Sequence, residues 1–175
     1  MNAVDLIVED EAWNGLDGKT RLAEQAVEAV CEELDERSPG VVAILLTGDD
    51  AVAALNAEFR GREGPTNVLS FPSGGHADNH LGDIALAAGV VAREAQAREI
   101  ALADHLRHLI IHGFLHLQGY DHQDDDEAEI MEGLELSLYT HFEIVIRLLH
   151  TNYHFFLTTH ARSKESEDLI LQTLY

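Results

Sequence analysis

His112-Gly113-Phe114-Leu115-His116-Leu117-Gln118-Gly119-Tyr120-Asp121-His122 sets three histidines at the spacing H-x3-H-x5-H, with a glycine between the second and third. On an α-helix, residues four apart lie one turn above one another, so His112 and His116 can aim two imidazoles at one point. Gly119 falls where such a helix ends, because glycine enters the left-handed conformation without steric cost. The chain turns there and can bring His122 back as a third nitrogen. Three neutral imidazoles around an open position make a metal site of the catalytic zinc type, in which bound water is acidified to a pKa of about 7.

The pattern matches the zinc-binding H-E-x-x-H-x-x-G-x-x-H of metzincin proteases except at one position. Where those enzymes carry a glutamate as general base, this chain has Gly113, which has no side chain to move a proton. His105 and His108 precede the triad on the same helix face. They read as polar residues bonded to backbone or to each other, since only the His112 and His116 pair is followed at once by a turn that returns another histidine.

Outward from this segment the elements follow by pattern. Residues 3–8 read as a strand, and Leu22, Ala26, Ala29, Val30 and Leu34 recur at helical spacing over 19–36. Ser38-Pro39-Gly40 breaks that helix before VVAILLT at 41–47, a β-branched apolar run typical of a buried strand. Asp49 or Asp50 is expected to cap a helix running to about Phe59. The stretch from Arg60 to Pro65 is a loop by its glycines and proline. TNVLSFP at 66–72 and LGDIALA at 81–87 form two more strands, joined as a hairpin with a long loop. Helices are expected over about 88–98, 102–118 and 124–138. Four strands and several helices, not strictly alternating, predict an α+β fold: a small mixed four-stranded sheet packed with helices, with a zincin-like metal-site helix.

Composition limits the partners. The chain has 175 residues, 11 of them Lys or Arg against 32 Asp or Glu, for a formal net charge of −21. Such a surface repels a nucleic acid backbone, so any RNA must be met by a local positive patch, by the metal or through a partner. Cys31 is the single cysteine, which excludes an intrachain disulfide; it reads as a small hydrophobe on a helix face. The N-terminal segment is acidic and lacks the basic region of a signal peptide, and no apolar run is long enough to span a membrane. These features predict a cytoplasmic protein with no membrane partner.

HGFLHLQGYDH at 112–122, TNVLSFP at 66–72, LGDIALA at 81–87 and the longer LNAEFRGREGPTNVLSFP resemble the YbeY family of bacterial endoribonucleases, in the family's order and through about residue 136. The resemblance implies a metal-dependent, single-strand-specific endoribonuclease in ribosomal RNA processing, including 16S rRNA 3′ end maturation, and in ribosome quality control. It implies ribosomal RNA as substrate, with ribosomal or ribosome-associated proteins as partners. His112, His116 and His122 would hold one Zn²⁺ per chain, with Ni²⁺ or another transition metal as alternatives. By its residues alone Arg60 reads as a solvated loop arginine rather than a phosphate clamp, although a guanidinium presents a planar fork matched to phosphate oxygens. The resemblance favours the catalytic clamp.

Two other readings of the same residues are a zincin-like metallopeptidase with another carboxylate as base, and a non-catalytic ribosome-associated metal-binding module. Asp83, inside an apolar strand run, reads as a buried structural acid or a group supporting the site. Ser70 has no nucleophile motif around it. Asp121 adjoins the third histidine and can orient water or a ligand. The acidic run 124–127 reads as a helix N-terminus favoured by the macrodipole. The hydrolase domain is expected over 1–138, and residues 139–175 form an atypical tail, which departs from the family's usual ending.

Overall fold

The structure, a computed structural model, describes residues 3–34, 40–74, 79–122 and 125–142. The expectations for the tail therefore fall, beyond Phe142, outside the described residues. Strands β1 (Ala3–Val8), β2 (Val41–Thr47), β3 (Val68–Pro72) and β4 (His80–Ala87) form one mixed sheet in the order β1-β2-β4-β3. β2 pairs in parallel with β1 and β4, and β3 lies antiparallel on the edge beside β4. The helices are α1 (Lys19–Glu33), α2 (Asp49–Arg60), α3 (Ala88–Ala97), α4 (Leu102–Leu117) and α5 (Asp125–His141). The α+β expectation holds.

Side-chain alternation along the strands sorts the layers. Val42, Ile44 and Leu46 of β2 and Ile84 and Leu86 of β4 are fully buried against α1, α4 and α5, where Leu106, Ile110, Ile111 and Phe114 complete the main core. Each such side chain contributes about 1.5–3 kcal/mol by leaving water. On the opposite face Leu69 and Ala87 pack with Val52 and Leu55 of α2. The edge strand β3 thus stands between α4 on one side and α2 on the other. No helix among the described residues is long and apolar enough to cross a membrane.

Several boundaries differ from the sequence expectation, each for a local reason. α1 ends at Glu33, with Leu34 as its C-cap donating to the Val30 carbonyl. α2 includes Arg60, because Gly61, at φ 63°, takes the left-handed cap one residue later than expected. Gly48 is the N-cap of α2, so neither Asp49 nor Asp50 caps it. Asp49 instead accepts from the Val90 N–H at 3.0 Å and from Arg93 at 2.9 Å, tying α2 to the start of α3. β3 begins at Val68, since Asn67 turns its side chain onto the Val68 N–H at 2.7 Å.

Asp83 is exposed and bonded to His80 at 3.2 Å, not buried. Ala85 and Ala87 of the same strand face are covered, but the cover stops short of Asp83. A 3-10 turn at Glu11–Gly15 was not expected; five residues carry no readable period, yet it buries Trp13 and bonds its indole N–H to the Thr47 carbonyl at 3.1 Å. α5 continues past residue 138 to His141, with Tyr139 fully buried.

Candidate metal centre

The site is built at the C-terminal end of α4. That helix stops at Leu117, and Gly119 follows at φ 91°. The Gly119 N–H bonds to the His116 carbonyl and the Tyr120 N–H to the Leu115 carbonyl, each at 3.1 Å, which is the paired pattern of a Schellman turn. The turn has a chemical consequence. It swings the Tyr120 carbonyl back over the helix, where it accepts from Nδ1 of His116 at 2.9 Å. One residue on, Asp121 accepts from the backbone N–H of His122 at 2.8 Å and so sets the direction in which His122 leaves.

His112, His116 and His122 each offer a ring nitrogen within 4.8 Å of the others, half-buried for the first two and exposed for the third. The Nδ1 of His112 faces Oε1 of Glu135 on α5 at 2.8 Å. Both helix histidines therefore spend their Nδ1–H on an oxygen acceptor, which leaves each Nε2 with a bare lone pair. Those two Nε2 atoms are 3.1 Å apart. Facing lone pairs at that separation repel unless a cation draws both, and a tetrahedral zinc sets its nitrogens about 3.3 Å apart. The donor set fits a transition metal. Burial, then the neighbouring His112, hold His116 below the ordinary histidine pKa and keep it in the neutral form a metal requires.

The remaining histidines of α4 are bonded otherwise than expected, neither to backbone nor to each other. His105 is buried with Nε2 at 2.7 Å from Glu94 of α3, and Glu94 also accepts from Asn67 at 3.2 Å. Burial pulls the Glu94 carboxyl up, but the bonds from His105 and Asn67 outweigh it and hold its pKa low. His108 places Nδ1 at 2.5 Å from the Tyr139 hydroxyl, and its ring stacks on His105 with centroids 5.7 Å apart. Burial first, then the charges of His105 and His112, push His108 well below its usual range.

Gly113 explains the missing protease base. A Cβ there would come within 2.9 Å of Ser70 Oγ and 3.1 Å of Ile84 Cγ2. The position faces the sheet and has no room for a carboxylate. Ser70 serves this packing. Arg60 is not brought to the triad by any described contact: it is the exposed last residue of α2, on the side of β3 away from α4. Asp121 sits closer, with Oδ1 at 3.9 Å from His116 Nδ1.

The family model described as endoribonuclease YbeY matches residues 9–143. The chain belongs to that family. An endoribonuclease YbeY from Maricaulis maris is 74% identical over 135 residues, covering 77% of this chain and 84% of its own. One from Azorhizobium caulinodans is 42% identical over 138 residues, covering 75% and 87%. The solution structure of TM1509 from Thermotoga maritima shares the fold, with TM-score 0.52 at 24% identity, covering 82% of this chain and 92% of that one. YbeY membership agrees with the fold and the convergent histidines described above.

Sequence reasoning missed Glu135, Tyr139 and Glu94. A signal was present for Glu135: Met131, Glu135 and Leu138 fall at i, i+4 and i+7 on one buried face of α5. A carboxylate on an apolar helix face marks a partner opposite it.

Proposed function

We propose that this protein is a metal-dependent endoribonuclease cutting single-stranded RNA, acting in ribosomal RNA processing, 16S rRNA 3′ end maturation and ribosome quality control. The observation that carries the reading is the convergence of three imidazole nitrogens within 4.8 Å at the end of α4, with no space beside them for a protease-type base. His112, His116 and His122 would hold one Zn²⁺, with Ni²⁺ or another transition metal as alternatives. When bound, the metal supplies a Lewis acid for a phosphoryl oxygen and acidifies water. The chain's own residues keep Nε2 of His112 and His116 unprotonated and aimed at one point. Arg60 acts as the phosphate clamp, its guanidinium neutralising developing charge. Its exposure supports access to a polymer, and reaching the metal then requires the RNA to cross the free edge of β3.

The working unit is the domain ending with α5, and the tail beyond it takes no part in the chemistry. Ribosomal or ribosome-associated proteins present the RNA in the cytoplasm, which an acidic chain needs more than a basic one. The test is a labelled RNA with single- and double-stranded segments, incubated with wild type, Arg60→Glu, Arg60→Lys and His116→Ala. Wild type should cut the single-stranded segment, with chelator abolishing cleavage. Arg60→Glu should be inactive with its metal retained, and Arg60→Lys partly active, because the charge remains and the fork does not. Equal cleavage by all four identifies a contaminating nuclease and favours a metal-binding module that works without turnover.

A further inference from the structure

Two residues of α5, four apart, each hold a histidine of α4, and the two histidines are also four apart. Glu135 meets His112 at 2.8 Å and Tyr139 meets His108 at 2.5 Å. Glu135, Tyr139 and His108 are buried, and His112 opens toward the other triad members. The two rungs differ in chemistry. A hydroxyl can donate or accept, so Tyr139 suits either tautomer of His108. A carboxylate can only accept, so Glu135 forces the proton of His112 onto Nδ1.

Burying a carboxylate is costly unless a specific partner offsets the lost hydration. An aliphatic side chain at 135 would fill the same space on the apolar face beside Met131 and Leu138 without that cost. The carboxylate is therefore a poor choice for packing alone and a fitting one for orienting His112. We infer that Glu135 is a positioning residue for the metal centre: it fixes the tautomer and ring angle of His112, while Tyr139, one turn on, holds α5 in place without governing the metal.

This rests on the triad being the metal site, as proposed above, and not on any RNA cleavage. Carboxylates that hold a ligand histidine in this way usually set metal affinity by a factor of about 10–100 when removed. His116 supplies an internal contrast, because its Nδ1 is held by the Tyr120 carbonyl, which no side-chain substitution removes.

The full chain is stripped with chelator and titrated with Zn²⁺ against a chromophoric competitor, alongside thermal melts of the metal-free forms. Glu135→Gln keeps shape and one acceptor oxygen but loses the charge and adds a competing donor; Glu135→Leu keeps the volume and loses the acceptor. Zinc affinity should fall roughly 10-fold or more in Glu135→Leu and by less in Glu135→Gln. The His112 Nδ1–H resonance should be lost in Glu135→Leu, whose metal-free protein melts no lower than wild type. Tyr139→Phe should do the reverse, lowering the metal-free melt while leaving zinc affinity within about twofold of wild type. Unchanged affinity in a folded Glu135→Leu overturns the inference. So does an equal loss in Tyr139→Phe, which would make the effect one of helix docking. His116→Ala separates the two levels: zinc binding that survives it refutes the triad itself, and the role of Glu135 falls with it.

Discussion

Gly113 shows how a single absent side chain decides between chemistries. The zincin spacing invites a peptidase reading, and the residue after the first histidine is where that reading has to be tested. Here the helix approaches the sheet so closely that a methyl group would press on Ser70 and Ile84. Gly113→Ala should therefore cost about 1–3 kcal/mol, the scale of overpacking a tight interior, measured by denaturant unfolding of the metal-free protein. Gly113→Glu should destabilise more and still fail to cut casein-like substrates, since its carboxylate would point into the sheet and away from the metal. Peptidase activity in that variant would show that the position can reach the site after all. Asp83 teaches the opposite lesson. A charged residue in an apolar run is expected to be buried, yet cover over that sheet face stops at Ala85, and Asp83, in the middle of β4, stands exposed.

At the scale of elements, α4 is read from both sides: its apolar face makes the core and its histidines meet α3 and α5. Tyr139 closes one of these contacts and lies just past the boundary expected at residue 138. A chain stopped after Leu138 should lose about 3 kcal/mol or more, as for deletion of a buried aromatic. A chain stopped after Phe142 should melt like the full protein. Equal melts for the two truncations would mean that the Tyr139 contact contributes nothing.

The burial of His108 carries a pH dependence. The folded state holds His108 well below its ordinary value of 6.5, and His116 is shifted in the same direction. The unfolded chain then binds more protons than the folded one just below that value, so stability present above it is lost as pH falls. Metal-free protein should melt progressively lower from pH 7.5 to pH 5.5, and His108→Gln should flatten the slope. A slope unchanged in that variant would assign it to other groups.

Much of this was legible in the chain. The helix over 102–118, the turn at Gly119 and the four strands all follow from local periodicity and glycine, which act within a few residues. The partners of the histidines were not legible, because Glu94, Glu135 and Tyr139 come from helices whose mutual placement depends on the whole core. Asp49 was misread for the same reason: its carboxylate serves the next helix in the layer and not its own.

For the molecule as a whole, charge sets the terms of any meeting with RNA. A net charge of −21 repels phosphates at long range, while Arg60 attracts them at contact. Salt screens the first over about 30 Å at 0.01 M and only about 8 Å at 0.15 M. Cleavage of a short single-stranded RNA should therefore speed up as salt rises through this range, and slow only at higher salt as the direct contact is screened. A basic nuclease shows a fall throughout. A monotonic fall in kcat/KM from the lowest salt would mean that a local positive field governs approach.

Strands β1 and β2 and the metal centre also occupy different stretches of the chain. β1 and β2 pair over residues 3–8 and 41–47, whereas the hydrogen bonds described for His112 and His116 lie within α4, its turn and α5. Docking of α5 therefore orients His112 within the ligand set, and a metal that recognises only the oriented set should bind after the folding barrier has been crossed. Interactions absent from the transition state slow unfolding and leave refolding untouched. In stopped-flow measurements zinc should lower the unfolding limb in denaturant and leave the refolding limb where it was, so that the loaded protein persists as a kinetic trap for its own native state.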